Sequence, residues 1–212
     1  DARIRRGNNE GSMALAVNYA SARNPETHHM DRTVENYQGK LRYDRFISAH
    51  FALFGAASGR SDYFQGLDLR LNLDPGVAYY FLDTKAQRLW TELGYDFQYD
   101  IRNEDALQAA NAELLPTESP LSKTETRHSG RLYFGYGLAL NDKVSLTSGV
   151  EYLLAPTETR FWRLNGDAGL TANLSGRLSV ATAMSLRYDH APLPGIKRLD
   201  TMESVSLVLT LM

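Results

Sequence analysis

The sequence predicts an all-β fold: a single antiparallel up-and-down transmembrane β-barrel, read as ten strands. Three observations predict it. Apolar and polar residues alternate along one segment after another, the connections alternate short and long, and the polar faces carry arginine and carboxylate in near balance. A side-chain period of two belongs to strands alone. In "LDLRLNLD" (67–74) it sets Leu67, Leu69, Leu71 and Leu73 against Asp68, Arg70, Asn72 and Asp74.

Taken in order, residues 1–10 read as an N-terminal segment or strand stub, "DARIRR", followed by a turn. An incomplete pair there would raise the count to twelve. The first strand, about 11–21, opposes Met13, Leu15, Val17 and Tyr19 to Ser12, Ala14 and Asn18. The second, about 33–45, opposes Tyr37, Leu41 and Tyr43 to Gln38, Lys40, Arg42 and Asp44. The third, about 49–62, sets Phe51 and Leu53 against Ser58, Arg60 and Asp62, with Phe54 out of phase. The fourth carries "LDLRLNLD" and continues to Phe81.

The fifth, about 87–100, opposes Leu89, Leu93, Tyr95, Phe97 and Tyr99 to Arg88, Glu92, Asp96, Gln98 and Asp100. The sixth, about 126–140, opposes Leu132, Phe134, Tyr136 and Leu138 to Arg127, Ser129 and Arg131. The seventh (143–154) sets Val150 and Tyr152 against Thr147 and Glu151, and the eighth (160–173) sets Trp162 and Leu164 against Arg163 and Asp167. The ninth (177–189) sets Met184 and Leu186 against Arg187 and Asp189, and the tenth (200–212) sets Val205 and Leu207 against Ser204 and Ser206.

Short turns such as "FISA", "DTKA" and "NDK" alternate with longer connections at 22–32, 101–125 and 190–199. That is a hairpin meander with short turns at one end and long loops at the other, as in outer-membrane barrels with periplasmic turns and extracellular loops. The 101–125 loop contains a helical passage in which Asp105 and Gln108 resemble a capping box, with Pro116 as its stop.

Composition narrows the partners. A formal charge of −2 over 212 residues gives no electrostatic case for nucleic acid. The absence of cysteine removes thiol chemistry and disulfides. A mean hydropathy of −0.38 looks soluble, but window hydropathy does not register a strand with one lipid-facing side.

A soluble barrel with an apolar cavity would alternate in the same way, and three features favour the membrane. Small residues such as Gly94, Gly135 and Gly149 interleave the polar face, leaving room in a crowded interior. That face uses Arg rather than Lys, which suits enclosed bidentate pairing. The expected lumen charge network comprises Lys40, Arg42, Asp44, Asp68, Arg70, Asp74, Arg88, Glu92, Asp96, Arg127, Arg131, Glu151, Arg163, Asp167, Arg187 and Asp189. Finally, aromatics of the apolar face gather towards strand ends as two belts. Tyr43, Tyr79 and Phe81 lie near the short turns; Tyr95, Phe97, Tyr99, Tyr152, Trp162 and Tyr188 lie near the long loops.

The stretch "LFGAASGRSDYFQGLDLRLNLDPGVAYYFLDT" (53–84) resembles the uncharacterised family of salt-induced outer-membrane proteins. The resemblance rests on Leu53-Phe54-Gly55, Asp62, Phe64, Gly66-Leu67-Asp68, Arg70, Gly76, Tyr79 and Asp83-Thr84. It implies a Gram-negative outer-membrane barrel with no assigned activity and brings no catalytic residues. Ala78 and Met212 depart from it, standing where a second glycine and a terminal aromatic are usual.

Function is less legible. The leading expectation is a non-enzymatic, charge-networked and closed barrel with a structural or partner-binding role in the envelope. A narrow channel for ions or small hydrophilic solutes is the alternative, and a lipid-directed hydrolase using Ser129 comes third. His128 and Ser129 are adjacent in a strand and point apart, so they do not form a catalytic pair with each other. "NPETHHMDR" (24–32) groups Glu26, His28, His29 and Asp31, but a solvated loop is favoured over a metal site, and no cofactor is expected. Expected partners are outer-membrane lipids and lipopolysaccharide, the barrel-assembly machinery during insertion, and an envelope protein at the outer loops.

Overall fold

The computed structural model describes residues 2–23, 28–114, 119–175, 178–192 and 194–209. They form one antiparallel sheet of eleven strands in strict sequence order. These are β1 (Ala2–Arg6), β2 (Asn9–Arg23), β3 (Met30–Phe46), β4 (Phe51–Asp62), β5 (Leu67–Asp83) and β6 (Gln87–Arg102), then β7 (Thr124–Ala139), β8 (Val144–Leu154), β9 (Trp162–Asn173), β10 (Leu178–Asp189) and β11 (Leu199–Leu209). One helix, α1 (Glu104–Ala112), stands in the longest connection. No described helix is long and apolar enough to cross a membrane.

The expected count of ten is corrected by the N-terminal stub. "ARIRR" is β1 itself, turned back onto β2 through Gly7 at φ 56°, with Arg6 opposite Asn9 and Ala2 opposite Met13. A two-residue hairpin requires positive φ, which glycine takes at no steric cost.

The short turns are locked by side chains. Ser48 Oγ accepts from the amides of His50 and Phe51, at 3.3 and 3.1 Å. Asn141 Oδ1 accepts from Lys143 and Val144 N at 2.8 and 2.9 Å. Such polar side chains stand in for backbone partners at turns.

Alternation sets the two faces as expected. Leu15, Val17, Leu41, Leu73, Leu93, Phe134, Val205 and Leu207 are exposed on the convex face. Asp44, Asp74, Glu92, Asp96, Asp100 and Arg131 are buried on the concave one. The sheet curls far enough for distant strands to touch across its hollow. Arg187 of β10 donates to Gln38 of β3 at 3.2 Å, and Gln65, between β4 and β5, donates to Asp200 of β11 at 2.9 Å. Among the described residues no backbone ladder joins β1 or β2 to β11. The fold is thus a barrel-like meander, with one face apolar and the hollow polar.

The register shifts at four places among the described residues, and two of these fall in β5. Register shifts between Leu67 and Leu69, so Leu67 turns inward and is buried while Asp68 is exposed at the rim. A bulge adds one residue and re-aims the side chains beside it. Leu67 and Asp68 therefore depart from the simple alternation of this stretch. A second shift falls between Tyr80 and Leu82, after which both Phe81 and Leu82 are exposed.

Candidate functional site

The hollow has two halves of different chemistry. Towards the short turns it is filled. Phe46, Ala52, Phe54, Ala78 and Tyr80 form a buried cluster, with Trp90 packed against it. Phe46 stacks on Tyr80 at 5.4 Å, Tyr80 on Trp90 at 6.4 Å, and Trp90 lies 6.0 Å from Tyr133. Arginines cap these rings: Arg42 lies 4.3 Å over Phe54, Arg88 4.6 Å over Tyr80, and Arg5 4.1 Å over Phe46. A guanidinium over an aromatic face gains electrostatically, more so when desolvated.

Alternation implied the aim of two of these rings, although neither was among the expected interior residues. Trp90 shares the phase of Arg88 and Glu92, and Tyr133 that of Arg131, so their inward aim was available in the pattern. The glycines of the polar face seat them. A Cβ on Gly135 would meet the Trp90 ring at 2.2 Å, one on Gly76 would meet Phe54 at 2.6 Å, and one on Gly149 would meet the Tyr133 hydroxyl at 2.2 Å. The room expected for arginines is here taken by aromatics.

Above the rings a chain of charge crosses the hollow. Arg42 holds Asp44 with two bonds of 2.8 and 2.7 Å and reaches over to Glu92 at 2.6 Å. Glu92 also accepts from Trp90 Nε1 at 3.0 Å and from Arg131 at 2.7 Å. Arg131 continues to Glu151 at 2.6 Å, and Glu151 accepts from Asn165 at 2.8 Å. One network therefore joins β3, β6, β7, β8 and β9. Its charges are paired in alternation, the condition under which buried ions are tolerated.

Towards the long loops the hollow opens into a cavity of about 600 Å³. Arg70 grips Asp100 with two bonds of 2.8 and 2.7 Å, and Arg102 and Arg127 share Glu125. Asn72 donates to Asp96 at 2.5 Å, and Arg60 pairs with Asp62. Arg163, Arg187, Asp189, Lys40 and Asp74 line the same space.

Other expected site residues fall at the margins. Arg88 joins the plug and lies 3.5 Å from Asp83. Asp68 accepts from Asn103 at 3.0 Å, outside the charge chain. Asp167 is exposed, near Gly149. Arg60, Arg102, Asp62, Glu125, Gln98 and Glu10 belong to the polar interior and were not in the expected network. Arg102 and Glu125 lie at loop boundaries where period-two reading gives out.

The expected belts form ring clusters. Tyr79 meets Phe81 edge-on at 5.1 Å, and Trp162 gathers Tyr152, Tyr188 and His190 at 6.0, 5.0 and 5.0 Å. Tyr95 and Phe97 flank His128, and Tyr43 donates to Asn9 at 2.7 Å. His128 is exposed while Ser129 is buried, so the two point apart.

The loop helix α1 is capped by Asn103, not by Asp105. Asn103 Oδ1 accepts from the amides of Asp105 and Ala106 at 3.0 and 3.3 Å. An Asx side chain just before the first turn satisfies the free amides there. Lys123 bonds Glu104 at 2.9 Å and holds its carboxyl below the usual range. No residue of α1 lines the cavity; Pro192, Pro194, Ile196 and Lys197 of the β10–β11 connection do. Pro116, and Glu26 of the loop 24–32, lie outside the described residues. Among the described residues no cluster of three or more histidine or acidic side chains converges as a metal site.

A β-meander with an apolar outside and a half-plugged, charge-lined hollow defines a barrel-like class of protein. The chain belongs to the family described as "Protein of unknown function, DUF481", whose model matches residues 2–211. No curated protein matches it.

Proposed function

We propose that this chain is an integral outer-membrane β-barrel whose interior is closed on the periplasmic side, with a structural or partner-binding role in the cell envelope. The observation that carries the reading is the opposition of its faces. Large apolar side chains project from the convex face of most strands, while the concave face holds the paired charges. Such a face in water would be an aggregation hazard, whereas in hydrocarbon it is the required surface. The ring clusters near both strand ends fit two membrane interfaces. The resemblance of residues 53–84 to salt-induced outer-membrane proteins points to the same compartment.

Lipids and lipopolysaccharide would contact the convex face, and the barrel-assembly machinery would act during insertion. An envelope partner would meet the long loops. The protein is read as non-enzymatic. Closure rests on the Phe54–Trp90–Tyr133 rings and the Arg42–Glu92–Arg131 chain. A narrow channel for ions or small hydrophilic solutes is the second reading, favoured by the cavity reaching down to Asp74 and Glu151.

Fractionation of Gram-negative cells expressing the chain tests location: recovery with outer-membrane markers supports the proposal, and recovery in the soluble periplasm contradicts it.

A further inference from the structure

The cavity on the long-loop side is lined by more basic than acidic side chains, and of the basic ones Arg60 and Arg160 hold carboxylates just outside the lining, Asp62 and Glu158. Among the described residues, nine basic side chains and six acidic ones line it. Three of the acids are already engaged. Asp100 is held by Arg70, Glu125 is shared by Arg102 and Arg127, and Glu151 is held by Arg131 of the plug.

Arg163 is left over. Its side chain is nine-tenths buried at 9% exposure, yet one Nη has no hydrogen-bond partner. The nearest carboxylate oxygen, on Asp96, stands 3.7 Å away. Among the described residues Arg187 hydrogen-bonds the neutral Gln38 at 3.2 Å and makes no ion pair, although Asp200 stands opposite it in the β10–β11 ladder.

The ladder brings further positive charge to the same wall. Gln38 is opposite Arg60, and Arg60 is directly opposite Arg70. Like charges in facing register are destabilising. Arg60 is held by Asp62 through one Nη, but its Nε is buried without a partner. A buried, unpaired guanidinium costs folding free energy unless something outside the chain pairs with it.

We propose that this cavity is a binding site for a phosphate-type oxyanion, seated on Arg163 and Arg187 with Arg60 beside them. The guanidinium fork matches phosphate oxygens in pairs, and an enclosed site keeps that attraction from being screened. Asp96 restrains the affinity, because its carboxylate faces the same arginine. The phosphate could be free or carried on a soluble ester entering at the loop mouth. It could instead belong to a lipid headgroup entering beside β2, where Leu15 borders the cavity. The site does not depend on whether the barrel conducts; membrane insertion decides only which side it faces.

The test is calorimetric titration of the protein folded in neutral detergent, at fixed ionic strength. Inorganic phosphate is one probe and detergent-solubilised short-chain phosphatidic acid the other. Saturable phosphate binding is expected, weakened at least about tenfold in Arg163→Gln/Arg187→Gln, because the charge-assisted bonds to the oxyanion are lost. Asp96→Asn should bind more tightly, and Lys143→Gln, at a short turn, should bind unchanged. Binding of phosphatidic acid alone, with the same ranking of variants, assigns the site to a lipid-borne phosphate. Absence of saturable binding by either probe overturns the proposal, as does binding indifferent to the arginine pair. Should the double variant not fold, by the heat-dependent gel shift of folded barrels, Asp96→Asn still decides. An unchanged affinity there contradicts the role given to Arg163.

Discussion

Glu92 accepts from Arg42, Arg131 and Trp90 and is 1% exposed. Removing the carboxylate would leave two buried guanidinium groups facing one another across the hollow. Glu92→Leu should therefore destabilise the protein by about 3–5 kcal/mol, whereas Glu92→Gln, which keeps an acceptor oxygen between the two arginines, should cost less. Urea unfolding in detergent, followed by tryptophan fluorescence, measures both. At Gly135 the relevant quantity is volume. Gly135→Val pushes a side chain into Trp90 and should cost about 1–3 kcal/mol, with part recovered by adding Trp90→Leu. On the opposite face, Leu93 is 63% exposed. In the proposed membrane barrel, Leu93→Arg would bring a charge into hydrocarbon at about 2–4 kcal/mol near the midplane. Its insertion into vesicles should fail or slow, while Arg70→Leu, facing inward, still inserts. Equal behaviour of the two would reverse the assignment of faces.

At the scale of elements, strands were legible in the sequence wherever one face is apolar and the other charged, as in β6. Slipping such a strand by one residue exchanges its faces, so its register is strongly specified. The pattern gave out where the backbone departs from a period of two. The bulge at Leu67–Leu69 turned Leu67 inward, and nothing in "GLDLR" marks the extra residue. β1 was legible only as a stub because five residues are too few to show alternation. Phe54 stood out as an irregularity in its strand, but its meaning needed Gly76 and Gly94 from neighbouring strands, a relation set by register. β11 places Glu203 in the phase of Val205 and Leu207, a departure nothing in the structure explains.

The loop helix makes a separate prediction. Its anchorage to Lys123 depends on ionised Glu104, whose pKa is lowered in the folded state. That contribution is present above the unfolded carboxylate pKa and lost as pH falls through the folded value. Amide exchange of α1 should accelerate in acid beyond its intrinsic pH dependence and follow that dependence around neutrality. Topology is tested on the same element: a cysteine label at Gln108 should react on intact cells, and labels at Thr84 and Asp142 should not. The reverse pattern would invert the barrel.

At the scale of the molecule, the two halves of the hollow divide the work. The half near the short turns is filled by aromatics seated against small residues, while the half near the long loops keeps space and positive charge. An interior only slightly wider than that of an eight-stranded barrel can be filled by side chains, and here the filling stops at the Arg42–Glu92–Arg131–Glu151 chain. On the proposed reading this layer seals the barrel. Single-channel recording of the folded wild-type protein in planar bilayers tests it most directly. A sealed layer gives no conductance steps from protein shown to be inserted, with steps emerging in Phe54→Ala/Arg131→Ala. Reproducible steps from the wild-type protein, shifted by Arg131→Ala, would contradict closure and make the charge chain the constriction of a pore.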